Sequence, residues 1–467
     1  MSAKILFKLI KPFFLNVFSF RKKLISLRRN ISDLSSKNTT EIEGYDFHFL
    51  LSAWEGTRVP WYQLYLASRV LDKGLSIYFI IDHFAYLYYP IHLVFYRIFR
   101  PVNFRKYKQH RRVGLKLTFE ERKNIIIAVR ANIKWYTKSE LFVEKLHKIV
   151  LRTFYKRQVN HYQKVKNELA EFTEKDIIII PGGVLNPSFS YVNACNVLGL
   201  KYYTYDSGSD GEVIFARASI AAHLKEIEDY DIKNIDPLQK EQLLCSADEL
   251  IKTRMNSADQ FKYQKVPTGG AEYLEYIDEN KMNILVPLSC PWDAASLIRN
   301  DLFNSELSFI KKVLCEYEGC NIILRVHPIE RVGSNARNDN LVNIYKKYTN
   351  VRIITPEKSV NTYDLLDAVD LVICQNTSLG AEAAICGKTA ISSTISYWND
   401  TPGLVQTTLK VDCIKMRYAL AQVYNWNFPM VNLNNVSPYL ISTDSFDEFT
   451  STVIDYKTHT EIKIREI

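Results

Sequence analysis

The sequence predicts an α/β protein built from two domains, each with a doubly wound parallel sheet. Three observations lead to this class. The chain has 467 residues, too many for one ordinary core, which favours two domains of roughly 200 residues each. Short apolar runs alternate with helix-compatible stretches, as parallel strands require, because a helical crossover must connect them. The composition, 47% hydrophobic and 24% charged, is that of a globular protein.

The first domain is predicted to span residues 41–270. Its strands are expected at residues 45–51, 76–81, 176–180 and 201–205, and its clearest helices at residues 61–71 and 188–198. The second of these helices stops at Gly199, a typical C-terminal signal. Between residues 86 and 175 the chain is basic and rich in tyrosine, which indicates a mostly helical insertion with a short strand at residues 124–129.

The second domain is predicted to span residues 271–440, after a boundary at Pro267-Thr268-Gly269-Gly270. It contains five strand-like runs, at residues 283–288, 321–326, 351–354, 371–374 and 389–392. A helix-compatible stretch separates each run from the next, so these runs predict a second doubly wound sheet. Ligands of such sheets bind at loops beyond the carboxyl ends of the strands. The tail, residues 441–467, is expected to pack back on the first domain.

The first 40 residues form a basic arm followed by a polar linker. Residues 4–29 mix aromatic and aliphatic side chains with lysines and arginines, and no acid precedes Asp33. The longest apolar stretch, residues 12–20, is shorter than the roughly 20 residues that a membrane span needs, and no cleavage site follows it. We therefore expect neither a span nor a signal peptide but a helix at the surface of an anionic leaflet. The alternative is an amphipathic helix packed on the protein itself.

The charge distribution and the cysteine content limit the kinds of partner and metal site that the sequence allows. The net charge of +9 is concentrated in the first 30 residues and at residues 100–112, which favours an anionic partner such as phosphate, lipid or glycan. The eight cysteines show no pair or cluster at zinc spacing, so we expect reduced core residues of a cytoplasmic protein and no bound metal.

Three segments after predicted strands carry candidate chemistry. The first is Arg325-Val326-His327-Pro328, which places a histidine at the carboxyl edge of the second sheet. His327 can donate a hydrogen bond to a phosphate oxygen, and Arg325 or Arg331 can add charge-assisted contacts if their side chains point the same way. The alternative is a histidine that only holds the turn at Pro328.

The second segment, residues 375–384, follows the strand at 371–374. Its donor-site candidates are Asn376, Thr377, Ser378, Gly380 and Glu382. Thr377 or Ser378 can cap the helix that begins there, and the backbone N–H groups of that helix start form an anion site suited to a nucleotide phosphate. The carboxylate of Glu382, one turn into the helix, can accept hydrogen bonds from ribose hydroxyls. The alternative is ordinary helix capping without a ligand.

The third segment is the acidic, glycine-bearing loop at residues 206–212 in the first domain. Transfer of a sugar to a hydroxyl with inversion needs a base to take the hydroxyl proton. Asp206, at the strand end, is the first candidate for that base, followed by Asp210 and Glu212. The alternative is a turn whose residues serve only backbone conformation.

These segments resemble motifs of the capsule polysaccharide biosynthesis glycosyltransferases of the GT-B class, which include Kdo transferases, and more distantly of bacterial sialyltransferases. Residues 325–328 resemble the family's His-Pro element, and residues 376–388 resemble its S-S-x-G-x-E-A-x-x-x-G-K-P element, although Thr389 replaces the final proline. The resemblance implies that both elements hold the nucleotide and its phosphate. Asp206-Ser207-Gly208 resembles the family's E-x-G turn, which implies that the shorter Asp206 is the catalytic base.

The resemblance implies a GT-B fold, with two Rossmann-like domains facing a cleft, the first binding the acceptor and the second the nucleotide sugar. The predicted function is metal-independent sugar transfer to a capsule, lipopolysaccharide or related surface glycan, by a cytoplasmic enzyme held peripherally at the inner face of the plasma membrane through residues 1–30. The co-substrate is a nucleotide sugar, the acceptor is lipid-linked or an oligosaccharide, and no further cofactor is expected. Alternatives are a UDP-sugar 2-epimerase of the same fold and, more remotely, an RNA-binding protein, although no recognised nucleic-acid module is present.

Overall fold

A computed structural model gives the fold of the chain. It describes residues 46–50, 76–80, 82, 117–137, 148–207, 213–223, 237–238, 241, 245, 271–290, 292–293, 296–297, 306–327, 345–358, 360–375, 377–386, 388–393 and 427–428. The chain divides into two compact units. The first takes in the described residues up to Ala222 together with 427–428, and the second those from His223 to Ser393. The predicted boundary at residues 267–270 lies outside the described residues and stays a prediction.

The first unit contains a sheet whose strands are β1 (Asp46–Leu50), β2 (Ser76–Ile80), β3 (Asp176–Pro181), β4 (Lys201–Ser207) and β5 (Val213–Arg217). They lie in the order β5-β4-β3-β1-β2, with β1 to β4 parallel and β5 antiparallel to β4. The four predicted strands are confirmed, and β5 was not predicted. Strand order reverses between β1 and β3, which makes their carboxyl ends the expected ligand position of this sheet.

Both faces of this sheet are buried. One face packs against the helices α1 (Phe119–Thr137), α2 (Lys148–Leu169) and α3 (Ser188–Leu198). Its buried cluster includes Leu50, Ile80, Ile178, Ile180 and Tyr202 from the strands and Ile125, Tyr162 and Val192 from the helices. The opposite face is buried through Phe47, Phe49, Ile177, Ile179 and Tyr205. This two-sided burial explains why β3 is an unbroken apolar run, as expected for a doubly wound sheet.

The short strand predicted at residues 124–129 is wrong, because these residues lie inside α1. The run is rich in isoleucine and therefore resembles a strand. In the structure Ile125 and Val129, at helical spacing, pack into the core cluster instead. A capping box fixes the start of the helix: Thr118 Oγ1 accepts from the Glu121 N–H (3.2 Å), and Glu121 Oε2 accepts from the Thr118 N–H (2.8 Å).

The turn after β3 requires glycine. Gly183 has a φ of +101°, and a Cβ there would lie 3.2 Å from Thr204 Cγ2. The preceding Gly182 N–H donates to the Tyr205 carbonyl at 2.7 Å and so ties the turn to β4. The predicted helix after this turn is confirmed as α3, and it ends at Gly199 with a φ of +66°.

The second unit contains a sheet of five parallel strands: β6 (Asn283–Pro287), β7 (Asn321–Arg325), β8 (Val351–Ile354), β9 (Leu371–Cys374) and β10 (Thr389–Ser392). All five were predicted. Their order, β10-β9-β6-β7-β8, is the 3-2-1-4-5 order of a Rossmann sheet, and it reverses between β6 and β9. This unit contains the α-helices α4 (Glu306–Glu316), α5 (Thr362–Ala368) and α6 (Ser378–Ile385), and a 3-10 helix at Ala271–Tyr276. The predicted fold class, α/β with two Rossmann-like sheets, is confirmed.

The chain returns to the first sheet after leaving the second. Residues 427–428 form β11 (Asn427–Phe428), which pairs antiparallel with β5 through Asn427↔Ile214 and Phe428↔Val213. The predicted packing of residues 441–467 and the predicted arm at residues 1–40 fall outside the described residues. No helix in the described part of the chain combines the length and the apolar composition that crossing a membrane requires.

The prediction that the cysteines lie in the core is only partly correct. Cys195, Cys290 and Cys374 are buried, whereas Cys245 and Cys315 are exposed, and all seven cysteines that the structure describes are free thiols. Cys315 is exposed because it lies on the outer face of α4, whose buried residues are Glu306, Phe309, Ile310 and Val313.

Candidate functional site

The expected ligand position of the second sheet lies where β6 and β9 end. β6 leads into Leu288, Ser289 and Cys290, which are all buried. The Leu288 N–H donates to the Arg325 carbonyl (2.9 Å), so this loop continues beside β7. The sequence motifs do not include these residues. The signal was available, because β6 is the first strand of a Rossmann order and its loop therefore borders the point where strand order reverses.

Arg325, the last residue of β7, is 8% exposed and anchors the loop that follows β8. Its Nη1 and Nη2 donate to the carbonyl oxygens of Thr355 and Val360, each at 3.3 Å. His327 follows two residues later and is half-buried at the same edge of the sheet. The described contacts of Arg325 therefore hold the loop after β8 in place. His327 lies in the loop after β7, where the sequence predicts a residue that binds phosphate. Pro328 and Arg331 lie outside the described residues.

The start of α6 is shaped by two hydroxyl groups. Thr377 Oγ1 accepts a hydrogen bond from the Leu379 N–H at 3.3 Å, so Thr377 is the residue that caps the helix. Ser392 Oγ, at the end of β10, donates to the Gln375 carbonyl at 2.8 Å and holds the loop that precedes the helix. Gly380, in the first turn, is buried. Asn376 and the side chain of Ser378 lie outside the described residues.

Glu382 lies one turn into α6 and is 4% exposed. Its Oε2 accepts a hydrogen bond from the Tyr363 hydroxyl at 2.9 Å. Tyr363 belongs to α5, the helix after β8, so the contact joins two loop-to-helix junctions of the same sheet. No local sequence pattern could reveal Tyr363, because only the tertiary fold brings it to Glu382.

Lys388 lies at the amino edge of the second sheet, opposite the edge that carries His327 and Thr377. It directly precedes the first residue of β10, and its Nζ donates to the Asp367 carbonyl in the last turn of α5 at 2.8 Å. The family resemblance groups this lysine with the nucleotide-holding element. In the structure it stabilises the C-terminal end of a helix at the amino edge of the sheet, as lysines commonly do.

Asp206 lies in a strand and not, as predicted, in a loop. It belongs to β4, where it pairs with Ile214 of antiparallel β5. β4 continues two residues beyond its predicted end because β5 completes a hairpin with it. Asp206 is half-buried near the carboxyl edge of β3, one strand away from the reversal point of the first sheet. Asp210 and Glu212 lie outside the described residues.

A buried polar network lies at the same edge of the first sheet. His161 of α2 contacts Asp82 through Nε2 (2.7 Å) and Ser190 through Nδ1 (2.9 Å). Gln158 contacts Asn186 in the loop after β3 at 2.8 Å. Because both ring nitrogens of His161 are engaged inside the protein, the network positions this loop and the start of α3. The one sequence feature that points to this network is Asp82, an acid placed shortly after the apolar strand β2.

A second buried contact between a histidine and an aspartate lies at the amino edge of the first sheet. His48 Nε2 contacts Asp176 Oδ1 at 2.6 Å, and both residues are buried. Burial would raise the pKa of Asp176, but hydrogen bonds from His48 and Thr173 outweigh it and lower the pKa to about 2. Together with Asp46, these side chains bring potential metal-ligand atoms within 4.8 Å of one another. Their edge is opposite the one that carries Asp206.

Residues 247–412, less than half of the chain, match a family described as "Protein of unknown function (DUF354)". No curated protein matches the chain. Among solved structures, the chain is similar to the beta Kdo 2,7 transferase of Thermosulfurimonas dismutans KpsC, with 15% identity, a TM-score of 0.37 and coverage of 66% of this chain and 97% of that one. The beta Kdo 2,4 transferase of the same protein gives 15% identity, a TM-score of 0.37 and coverage of 52% and 78%. A putative UDP-N-acetylglucosamine 2-epimerase from Listeria monocytogenes gives 9% identity, a TM-score of 0.27 and coverage of 91% and 100%.

Proposed function

We propose that the chain is a glycosyltransferase that moves a sugar from a nucleotide-sugar donor to a growing surface polysaccharide, such as a capsule, lipopolysaccharide or related glycan. One observation carries the proposal. His327, the Thr377 cap and Glu382 follow the two strands, β7 and β9, that flank β6 at the carboxyl edge of a Rossmann-ordered sheet. That edge is where doubly wound sheets bind nucleotides.

Each of these groups suits one part of a nucleotide sugar. The backbone N–H groups at the start of α6 and the positive end of its dipole attract a phosphate. His327 donates a hydrogen bond to a phosphate oxygen. The buried carboxylate of Glu382 accepts from ribose hydroxyls. The donor is held by hydrogen bonds and the helix dipole, and in this scheme no metal takes part.

For transfer with inversion, Asp206 takes the proton from the acceptor hydroxyl, and the acceptor oxygen attacks the anomeric carbon. The bond from that carbon to the phosphate oxygen breaks, and the nucleotide leaves with the bonding electrons. His327 and the start of α6 stabilise the negative charge that develops on the leaving phosphate. Asp206 is assigned as the base because it is a half-buried carboxylate near the carboxyl edge of the first sheet.

The acceptor is a lipid-linked or oligosaccharide glycan at the cytoplasmic face of the membrane. The basic, aromatic arm at residues 1–30 supports this location, because segments of this composition bind the surface of anionic leaflets. The arm and the second basic segment, residues 100–112, hold the enzyme near its acceptor.

A thermal-shift panel of CMP-, UDP-, GDP- and dTDP-linked sugars tests the donor site. At least one of them should stabilise the wild type, by about 2.7 kcal/mol at a ligand concentration of 100 Kd. His327→Ala should raise the Kd of that ligand about tenfold or more, because hydrogen bonds to charged groups contribute roughly 1.5–3 kcal/mol.

The control for this panel is Arg352→Ala. Arg352 is an exposed cation near the amino end of β8 in the same unit, and its Nη1 donates to the Thr349 carbonyl. The variant removes a hydrogen-bond donor from the opposite edge of the sheet and should keep the wild-type response to the ligand. A wild type that no sugar nucleotide stabilises contradicts the proposed function.

Removal of residues 1–30 separates transfer from the alternative function, 2-epimerisation of a UDP-sugar. The truncated protein should lose activity on a lipid-linked acceptor in vesicles with anionic lipid, because the arm no longer concentrates the enzyme there. An epimerase acts on a free sugar nucleotide and should keep its full rate. Vesicle cosedimentation measures membrane binding by the arm directly. Membrane binding that is unchanged without residues 1–30 would refute the role of the arm.

A further inference from the structure

The hydroxyl of Tyr363 and the carboxylate of Glu382 form a contact inside the proposed donor site that the proposed function does not yet use. Glu382 is almost fully buried, and Tyr363 is half-buried. The 2.9 Å distance from the Tyr363 hydroxyl to Glu382 Oε2 is that of a good hydrogen bond to a carboxylate. Since a buried carboxylate is costly without donors, this bond helps to keep Glu382 in its position.

A series of backbone contacts places Tyr363 at the site. Arg325, at the end of β7, donates to the carbonyl of Val360 and so holds the chain just before α5. Asn361 then caps α5, and its Oδ1 accepts from the Tyr363 N–H at 2.9 Å. The backbone of Tyr363 is thus fixed from one side while its hydroxyl reaches Glu382 on α6. The contact is built by three strand ends, β7, β8 and β9, of one sheet.

The chemistry of the pair suits a ligand with hydroxyl groups. An ionised carboxylate only accepts hydrogen bonds, and its two oxygens can accept from more than one donor at once. A ribose hydroxyl is a donor of the matching kind and size. A polar site built to bind a hydroxyl discriminates strongly against an analogue that lacks it, because the buried acceptor then loses its partner.

We propose that Tyr363 is a positioning residue that orients the Glu382 carboxylate toward ribose hydroxyls, and that the pair makes the donor site selective for ribonucleotides over deoxyribonucleotides. This inference rests on the proposed function, because it takes the carboxyl edge of the second sheet to be the nucleotide site. It adds a residue and a substrate preference that the sequence motifs do not contain.

Isothermal titration of CMP, UDP and GDP, each compared with its 2′-deoxy and 3′-deoxy analogues, tests the inference. The wild type should bind the preferred ribonucleotide at least about tenfold more tightly than one of its deoxy analogues. Tyr363→Phe should weaken the ribonucleotide several-fold, leave the deoxy analogue nearly unchanged and so reduce that ratio. Glu382→Gln should reduce the same ratio, and the double variant should be no worse than Glu382→Gln alone, because the two residues act through one interaction.

Tyr348→Phe is the matched control. Tyr348 precedes β8 at the amino edge of the same sheet, and removal of its hydroxyl should leave the ratio unchanged. If Tyr363 only stabilises the fold, Tyr363→Phe lowers the melting temperature but leaves the ratio of affinities at its wild-type value, and the inference is overturned. A wild type that binds none of these three nucleotides but is stabilised by a dTDP-linked sugar also overturns the inference. A wild type that no sugar nucleotide of the thermal-shift panel stabilises refutes the proposed function itself, so the two failures are distinguishable.

Discussion

Asp206→Asn should slow sugar transfer by about 10²- to 10⁴-fold, the usual contribution of a general base, while donor binding stays at the wild-type level. Asparagine has nearly the same size and can keep the place of Asp206 in β4, opposite Ile214. Its amide, however, cannot take a proton from the acceptor hydroxyl. The assay is release of the nucleotide from the sugar nucleotide that best stabilises the wild type, with a cell-envelope extract as acceptor.

A control and two further variants make this result specific. Glu174→Gln removes an exposed acid just before β3 in the same unit and should leave the rate unchanged. Asp210→Asn and Glu212→Gln probe the other two acids of the predicted segment. A large loss with either of them, combined with a normal rate for Asp206→Asn, would move the base away from Asp206. A loss of donor binding in Asp206→Asn would also contradict its assignment as base.

The strands were predictable because their signals are local. Buried parallel strands are short apolar runs bounded by turns, and all five strands of the second sheet were located to within one residue at each end. The failures occur where tertiary packing decides between similar local patterns. Residues 124–129 could be a strand or a buried helix face, and only packing against the first sheet makes them part of α1. The antiparallel strand β5 is short, and it is a strand because the hairpin pairs it with β4.

The same distinction between local and tertiary signals applies to the residues of the candidate site. Thr377 and Glu382 were predictable, since a strand followed by a hydroxyl residue and a helix is visible in the sequence. The partner of Glu382 was not, because Tyr363 is 19 residues away from it. The same holds for the pair of Asp82 and His161, which are separated by 79 residues. Sequence therefore indicates the edge of the sheet at which a ligand is expected, while the fold supplies the groups that contact the candidate residues.

Glu121→Ala should lower the free energy of unfolding of the first unit by about 3–5 kcal/mol, the usual cost of breaking a buried ion pair. Glu121 is 2% exposed, and its Oε1 accepts from Lys166 Nζ at 2.5 Å and from the Tyr162 hydroxyl at 2.7 Å. Alanine leaves the ammonium group of Lys166 buried without its carboxylate and also removes the capping box with Thr118. Urea denaturation followed by circular dichroism measures the change.

Glu120→Ala is the matched control, because Glu120 lies in the same first turn of α1 and feels the same helix dipole. Its side chain is 64% exposed, and its ion pair with Lys123, at 3.3 Å, is exposed as well. Such surface pairs contribute little, so the control should change stability by less than about 1 kcal/mol. Equal losses in the two variants would show that the buried pair has no special role.

The pH dependence of Glu121→Gln gives an independent check of the same pair. Burial would raise the pKa of Glu121, but hydrogen bonds from Lys166, Thr118 and Tyr162 outweigh it and lower the pKa from 4.5 to about 2. Because the pKa is lower in the folded state, the ionised carboxylate stabilises the fold fully above pH 4.5, and this contribution is lost as the pH falls toward 2. The stability difference between wild type and Glu121→Gln should therefore shrink over that interval. A difference that stays constant from pH 7 to pH 2 would mean that ionisation of Glu121 does not stabilise the first unit.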